Sequence, residues 1–507
     1  MNEIKAGAVF NYLNLIVRIG IGFLLSPFIL YHLGVGEYGV YTVAGAIVGW
    51  LALADMGLGA SSAKFLSEYV ARGDKEGEAH YMGNVMALFS LVSVFILLAG
   101  GIIYFYVGDL FPKFTPAELR LYKILYLITL FNIALFFPLR ALGGITTAHS
   151  KFVVPAIAAL VMSLVSTSGI VVLLLLGYKA IAITCLCVGT GLIGSAWNLY
   201  YAFRVIKVRV SWKGWDIPLC KSLFVFSFWM FLDSLINLMN WGVGSTIIAS
   251  TNGAAAAPVF SYGVQLTGFY MMAANCLPSL FLPKLVKMVQ EGMDTECQTS
   301  LMIKLGRIEL IVMGVLLLGI YFFGLDFFTL WIGKSLGEAV STTWIVAVIM
   351  ATAVTVPLIQ CLGWQLLQAR NAMAQRVKII APVAFANLVL GYFLSLVWGP
   401  IGLACSTALS FMIGQWFYMN VLYKKKMGLN IGRFFRETFR RTLSCCALLI
   451  PWGLALNYVW PHPNWLEFAA KVFLFLIAYL FIVRLFYVNK EELAMLPPSV
   501  RRLAGAR

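Results

Sequence analysis

Residues 153–177 read VVPAIAALVMSLVSTSGIVVLLLLG and residues 180–203 read AIAITCLCVGTGLIGSAWNLYYAF, with only Tyr178 and Lys179 between them. Neither run contains an acidic or basic side chain. A helix needs about 20 apolar residues to cross the hydrocarbon core of a bilayer, whereas a barrel strand needs about 9–11. In lipid, a helix also satisfies its own backbone polar groups. The two runs therefore predict a pair of transmembrane helices joined by a short turn.

Runs of the same kind recur along the whole chain. Of its 507 residues, 61% are hydrophobic and 11% are charged, whereas a soluble domain carries about 25% charged residues. A soluble enzyme is thereby excluded, and the predicted fold class is an all-α integral membrane protein with fourteen transmembrane helices. The predicted segments are 8–32, 38–62, 82–107, 119–142, 153–177, 180–203, 222–249, 259–282, 308–330, 342–367, 379–398, 401–423, 442–460 and 466–488.

The net charge of +16 has a topological explanation. Cytoplasmic connections of membrane proteins are rich in Lys and Arg, and here most of these residues lie on the side that holds both termini. Both termini are therefore predicted to be cytoplasmic, and no nucleic-acid partner is expected. The basic run from Lys424 to Arg441 alternates cations with phenylalanines. It is predicted to be an amphipathic segment on anionic lipid.

The two halves of the chain resemble each other weakly at one constant offset, which places Val40-Tyr41-Thr42 on Val259-Phe260-Ser261. Such self-similarity indicates an internal repeat. The predicted domains are a six-helix bundle over 1–221, a second six-helix bundle over 222–423, and a basic linker with helices 13 and 14 over 424–507. Because each bundle has an even number of helices, the two are predicted to be parallel repeats around a central cavity, an arrangement typical of transporters.

The leading helix of each predicted bundle carries polar side chains on one face. These residues are Asn11, Asn14 and Arg18 in helix 1, and Asp233, Asn237 and Asn240 in helix 7. Ionisable groups inside a membrane are functional candidates by default. One interpretation is that they line a central cavity. The other is that the Asn side chains bridge neighbouring helices and that Arg18 pairs with Asp233.

Three further ionisable residues each have two interpretations. Asp55, which precedes two glycines, is predicted either to carry a coupling ion or to cap a helix break. Arg140 is predicted either to meet a phosphate or to reach the lipid headgroups. Glu309 is expected to pair with Arg307 or Lys304 at the membrane surface, or else to serve function from within the membrane.

The sequence contains no usable P-loop, zinc motif, nucleophile elbow or dinucleotide fingerprint. We therefore expect no enzyme, assign no catalytic residue or metal ligand, and do not expect ATP to be the energy source within this chain.

Several segments resemble the polysaccharide-export flippases of the MOP superfamily, the O-antigen and exopolysaccharide translocases. They are LLSPF at Leu24 to Phe28, LGVGEYGVY at Leu33 to Tyr41, LALADMGLGASSAKFLSEYVARGD at Leu51 to Asp74, and LWIG at Leu330 to Gly333. Drug and cation antiporters of this superfamily usually have twelve helices, so fourteen favours the branch that includes relatives of the lipid II flippase. Members often carry an acidic–basic pair near the end of helix 7, but Asn240 to Ser245 is uncharged here.

The resemblance implies that the chain flips an undecaprenyl-pyrophosphate-linked oligosaccharide across the bacterial inner membrane by alternating access, as in O-antigen and lipopolysaccharide biosynthesis. From the polar faces of helices 1 and 7 we expect the substrate to bind Arg18, Asn11, Asn14, Asn237 and Asn240, with Arg140 in addition, and Arg18 is placed similarly to a first-helix arginine of the lipid II flippase relative. Asp233 or Asp55 would couple the cycle to Na+ or H+, and no other cofactor is expected. The implied partners are the bilayer and polysaccharide polymerase and chain-length proteins. The alternative is a cation-coupled antiporter of drugs or other small molecules.

Overall fold

The computed structural model describes residues 3–51, 58–139, 143–149, 151, 153–212, 214–275, 294–370, 372–461 and 463–486. Every regular element within these ranges is a helix, and they contain no strand. The chain divides into two compact units, 1–258 and 259–507. The predicted domain boundaries at 221 and 423 follow the internal repeat, whereas the two compact units are defined by packing. The predicted domains therefore stay predictions.

The first unit contains eleven helices in its described part. They are α1 (Glu3–Leu33), α2 (Val35–Leu51), α3 (Leu58–Arg72), α4 (Lys75–Phe105), α5 (Val107–Leu110), α6 (Pro116–Phe136), α7 (Gly143–Ala148), α8 (Val153–Leu175), α9 (Ala180–Tyr200), α10 (Ile217–Asn237) and α11 (Gly244–Asn252). Two π-helical turns, Tyr201–Ile206 and Leu238–Gly242, follow α9 and α10. α12 (Ala256–Asn275) leads into the second unit.

The second unit continues with seven more described helices. They are α13 (Thr295–Leu336), α14 (Ala339–Ile359), α15 (Cys361–Ala369), α16 (Met373–Phe411), α17 (Met419–Met427), α18 (Ile431–Val459) and α19 (Trp465–Phe486). α13 has 42 residues and is therefore about 63 Å long at 1.5 Å per residue. Because the hydrocarbon core is about 30 Å thick, part of α13 lies outside that layer.

The prediction of an all-α membrane fold is confirmed. Each of the fourteen predicted segments overlaps helix in the described residues, and eight helices there are long and apolar enough to cross a membrane. Their outward faces carry large apolar side chains. Phe105 and Leu466, for example, are 81% and 82% exposed. Lipid tails cover such a surface without the cost that water would impose.

The core of the first unit is rich in aromatic side chains between α4 and α6. The rings of Phe111 and Phe114 stack with centroids 4.7 Å apart, and Tyr122 packs 5.0 Å from Phe111. The hydroxyl of Tyr126 donates to the main-chain oxygen of Gly100 at 2.8 Å. This contact satisfies a phenol that would otherwise be buried without a partner.

The predicted eleventh and twelfth helices form a hairpin within α16. Gly399 turns the chain with φ 56° and ψ −137°, a conformation that favours glycine. The two arms lie so close that a Cβ atom on Gly402 would be 2.1 Å from the main-chain oxygen of Leu394. Oγ of Ser406 donates to Oδ1 of Asn387 at 2.7 Å. The arms are thus held together by close backbone packing and a buried hydrogen bond.

The predicted tenth span, 342–367, is two helices rather than one. α14 ends at Ile359 and α15 begins at Cys361. Pro357 has no N–H group, so the carbonyl oxygen of Ala353 lacks its helical donor. Nε1 of Trp416 donates to that oxygen at 2.9 Å instead. The proline thus weakens the helix just before the break, and a distant indole replaces the missing hydrogen bond.

Candidate functional site

The structure places one predicted substrate residue, Asn14, between two helices. Its Nδ2 donates to the main-chain oxygen of Ala156 at 2.8 Å, so α1 is joined to the beginning of α8. This contact agrees with the interpretation that an intramembrane Asn bridges neighbouring helices. The same side chain keeps its amide oxygen as an acceptor, so a role toward substrate stays a prediction.

In helix 7 the structure brings two of the predicted residues together. Nδ2 of Asn237 donates to the main-chain oxygen of Asp233 at 3.0 Å and lies 3.5 Å from Oδ2 of its carboxyl group. Nδ2 of Asn240 donates to the main-chain oxygen of Ile236 at 3.1 Å. The three polar residues therefore follow α10 into its π-helical turn, a local distortion that is frequent at functional sites.

The remaining predicted site residues lie outside the described part of the structure. Arg140 and Asp55 fall in gaps between the described ranges. Asn11 and Arg18 lie on α1, but their side chains are outside the described residues. Their assignments stay predictions.

A cleft of about 440 Å³ lies between α8 and α9 in the first unit. Small and polar side chains form its lining, and no acidic or basic side chain is among them: Pro155, Ala158, Ala159, Met162, Ser163, Ser166, Thr167, Cys187, Thr190, Gly191, Gly194, Ser195 and Asn198. Ala156, which accepts the hydrogen bond of Asn14, follows Pro155 in the chain. Asn14 of α1 therefore contacts α8 next to one end of this cleft.

The chemistry of the cleft suits a neutral, hydroxyl-rich ligand. Oγ1 of Thr167 donates to the main-chain oxygen of Ser163 at 2.8 Å, and Oγ1 of Thr190 donates to that of Leu186 at 3.0 Å. These hydroxyl oxygens retain lone pairs that can accept hydrogen bonds from a ligand. A surface of this kind can bind sugar hydroxyls, whereas a bare ion would find no countercharge in it.

This cleft was not predicted from the sequence, although the sequence contains a signal for it. Ser163, Ser166 and Thr167 recur at i, i+3 and i+4, and so share one face of α8. Gly191 and Gly194 recur at i and i+3 on α9. Small and hydroxyl residues also mark ordinary helix contacts in membranes, so the spacing alone does not separate a cleft from a packed interface.

The expected pairing of Glu309 with Arg307 or Lys304 is wrong. Oε1 of Glu309 instead accepts a hydrogen bond from Sγ of Cys361 at 3.1 Å. Among the described residues, no Lys, Arg or His lies within ion-pair distance of this carboxyl group. Side chains two positions apart on a helix do not face each other, which explains why Arg307 is not the partner.

The basic run from Lys424 to Arg441 packs against protein as well as facing outward. Phe434 is fully buried and its ring lies over Gly306 of α13. Arg433 forms ion pairs with Glu296 and with Glu437; the hydrogen bond and the charge of Glu437 raise the pKa of this guanidinium. Part of this segment therefore packs against protein, and contact of its exposed side with anionic lipid stays a prediction.

No group of three or more His, Cys, Asp and Glu residues that could hold a metal ion occurs within the described ranges.

The family model described as polysaccharide biosynthesis protein matches residues 4–285, which is more than half of the chain. No curated protein sequence matches the chain significantly.

Solved structures of similar fold are all-helical membrane transporters. The lipid II flippase MurJ, in an inward closed conformation, matches over 95% of this chain and 98% of its own with a TM-score of 0.70 and 18% identity. An inward-facing multidrug resistance MATE family transporter of the MOP superfamily covers 82% of this chain and 96% of its own, with a TM-score of 0.64 and 14% identity. A variant of the Vibrio cholerae MATE transporter VcmN covers 84% and 98%, with a TM-score of 0.58 and 14% identity. At such identities the likeness establishes the fold.

Proposed function

The chain belongs to the polysaccharide biosynthesis protein family, and on that basis we propose that it flips an undecaprenyl-pyrophosphate-linked oligosaccharide across the bacterial inner membrane by alternating access. Family and fold agree that it is a multi-pass membrane transporter and no enzyme. The Lys and Arg asymmetry supports cytoplasmic termini. The direction of transport, from the cytoplasmic to the periplasmic leaflet, rests on the resemblance to polysaccharide-export flippases.

The observation that carries the proposal is the neutral cleft between α8 and α9. A sugar–pyrophosphate headgroup cannot cross hydrocarbon unaided, because its charges and hydroxyl groups would lose their hydrogen bonds to water. The hydroxyl groups of the cleft replace water around the sugar. Asn14, Asn237 and Asn240 add amide groups, and Asn11 lies one turn before Asn14 on α1.

The pyrophosphate needs a cation, which the cleft itself does not supply. Arg18 lies one turn beyond Asn14 on α1, whose contact with Ala156 brings that helix to the cleft. We assign Arg18 to the pyrophosphate, with Arg140 as a second cation, since arginine binds phosphate oxygens through two parallel hydrogen bonds. Asp233 or Asp55 would couple the cycle to H+ or Na+.

A cation-coupled antiporter of drugs or small molecules is the second candidate, because MATE transporters share the fold. Such an antiporter would change drug susceptibility when deleted and would leave lipid-linked oligosaccharide at its normal level. The uncharged lining of the cleft favours the sugar, since a cationic drug would require an acidic countercharge there.

Filling the cleft tests the proposal. A Cβ atom on Gly191 would have no neighbour within 4 Å, so Gly191→Leu places its side chain in the cleft without a backbone clash. Gly189 is equally unobstructed but is not among the lining residues, and Gly189→Leu is the matched control. Both changes favour helix formation.

A strain that lacks the chromosomal copy should regain its surface polysaccharide with Gly189→Leu. With Gly191→Leu at equal expression, export should fall about tenfold or more, which corresponds to about 1.4 kcal/mol of lost binding. Equal export by the two variants would contradict the assignment of the sugar to this cleft.

A further inference from the structure

Glu309 has a buried carboxyl group in the second unit, and one of the two carboxyl oxygens accepts no hydrogen bond from the described residues. The residue is 2% exposed. Oε1 accepts a hydrogen bond from Sγ of Cys361 at 3.1 Å, whereas Oε2 has no hydrogen-bond partner among the described residues. A carboxyl group that is closed off from water on one side needs either a cation or a proton.

The carboxyl group lies at the break between α14 and α15. Its donor Cys361 is the first residue of α15, and Nε2 of the preceding Gln360 donates to Oδ1 of Asn420 at 2.8 Å. The beginning of a helix offers free N–H groups and a partial positive charge. Transporters commonly bind ions where a helix is interrupted inside the membrane. The break therefore supplies both the polar surroundings of an ion site and a place where the packing can open.

The elements that pack against this part of α13 bring no cation to the carboxyl group in the described residues. α14 has no ionisable side chain along its whole length. Arg307 is buried two positions before the carboxyl group on α13, and so points elsewhere. α18 buries Phe434 and Thr438 and leaves Glu437 and Arg440 exposed.

Three other titratable groups nearby are of types that are ordinarily uncharged near pH 7. They are the thiol of Cys361 and the phenols of Tyr479 on α19 and Tyr423 on α17. The hydroxyl of Tyr479 donates to a main-chain oxygen of α13 at 2.7 Å. Arg376 of α16 is buried, and Arg484 of α19 is exposed.

We propose that Glu309 is a proton-binding site of the second unit, occupied by H+ in this conformation and emptied when the break between α14 and α15 admits water. The proton bonds to Oε2 and gives a neutral carboxylic acid, while Oε1 keeps its hydrogen bond from Cys361. On opening, the proton passes to a water molecule and the carboxylate remains. Protonation in this conformation follows from the burial of Glu309 and from the oxygen that lacks a partner. Exchange of the proton during transport rests, in addition, on the proposed function.

Infrared difference spectroscopy on the full-length protein in lipid nanodiscs tests the protonation. The wild type should show the carbonyl stretch of a protonated carboxyl group shielded from water, and Glu309→Gln should lack it. Cys361→Ala keeps the acid but removes the thiol donor, and should shift the band. Glu338 is exposed, so Glu338→Gln should leave the band unchanged.

Two results would overturn the assignment. One is the same carboxyl spectrum for the wild type and Glu309→Gln, together with no shift in Cys361→Ala, because the glutamate would then be ionised. The other is loss of the band when Na+ is added at constant pH, because a metal ion would then occupy the site. Cys361→Ala keeps the test valid if Glu309→Gln does not fold.

Proton exchange is tested in proteoliposomes with undecaprenyl-linked oligosaccharide extracted from a deletion strain. A pH gradient should accelerate flipping by the wild type and by Glu338→Gln more than flipping by Glu309→Gln, in which Asp233 or Asp55 is still present. Equal acceleration of all three proteins would contradict a role for this proton in transport. Absence of flipping by the wild type would contradict the proposed function, while the infrared band would still decide the proton site.

Discussion

Nδ2 of Asn14 donates a hydrogen bond to the main-chain oxygen of Ala156 at 2.8 Å, and thereby joins α1 to α8 beside the cleft. A residue assigned to the substrate is therefore also part of the structure. The two roles can be separated, because one affects stability and the other affects export at equal amounts of folded protein.

Asn14→Leu preserves most of the side-chain volume but removes the donor. The free energy of unfolding should fall by about 1 kcal/mol, the net contribution of a typical hydrogen bond. The melting temperature of the purified protein should fall with it. We expect export per folded molecule to fall as well. Asn237→Ala is the control for stability, because Asn237 is exposed and bonds within its own helix. Normal export by a destabilised Asn14→Leu would leave only the structural role.

Arg18 is predicted to hold the pyrophosphate. Arg18→Ala should reduce export about 10- to 100-fold, because a hydrogen bond to a charged group contributes about 1.5–3 kcal/mol. Arg18→Lys should restore part of it, since lysine keeps the charge but loses the paired geometry. Surface polysaccharide measured at matched expression checks this, and wild-type levels for Arg18→Ala would remove Arg18 from the site.

Lys471 is fully buried, and its Nζ donates to Oδ2 of Asp326 at 2.6 Å, joining α19 to α13. Lys471→Met should destabilise the protein by about 3–5 kcal/mol, because it leaves a carboxylate without its partner. The double variant Lys471→Met/Asp326→Leu should recover much of that loss. Lys179 pairs with Glu37 but is itself largely exposed, and Glu37 keeps a hydrogen bond from the main-chain N–H of Ala180, so Lys179→Met should cost about 1 kcal/mol or less. Equal decreases in melting temperature for Lys471→Met and Lys179→Met would contradict the expectation that the buried pair contributes more to stability.

Trp416 and Pro357 should be coupled energetically. Trp416→Phe removes the indole donor to the carbonyl oxygen of Ala353, which Pro357 leaves without a helical donor, at a cost of about 1–3 kcal/mol. With Pro357→Ala the helix can supply its own donor, so the same tryptophan change should cost less. A double-mutant cycle on thermal stability measures this coupling. Additive effects would show that the indole does not replace the missing helical hydrogen bond.

The sequence was sufficient to predict the helices, because hydrocarbon thickness sets their length and lipid excludes open strands. The turn at Gly399 was also predictable as a boundary, since Trp398-Gly399-Pro400 interrupts an apolar run. The break at Gln360 was not, because a proline inside an apolar run is compatible with a continuous membrane helix. Its consequence depends on Trp416, which is remote in sequence.

The candidate sites were harder to predict than the helices. Glu309 was expected to pair with cations close in sequence, but its partner Cys361 lies on another helix. The cleft between α8 and α9 is formed by two helix faces whose small residues also suit ordinary packing. Helical spacing shows which residues share a face, whereas only the packing shows what that face contacts.

Flipping of a lipid-linked oligosaccharide is tested most directly by the fate of lipid-linked sugars in a strain that lacks the protein. Lipid extraction, with probes that reach only the periplasmic leaflet, reports the amount and the location of undecaprenyl-pyrophosphate-linked oligosaccharide. We expect it to accumulate on the cytoplasmic leaflet and to return to normal when the wild-type protein is restored. An unchanged amount in both leaflets, together with normal surface polysaccharide, would contradict the account.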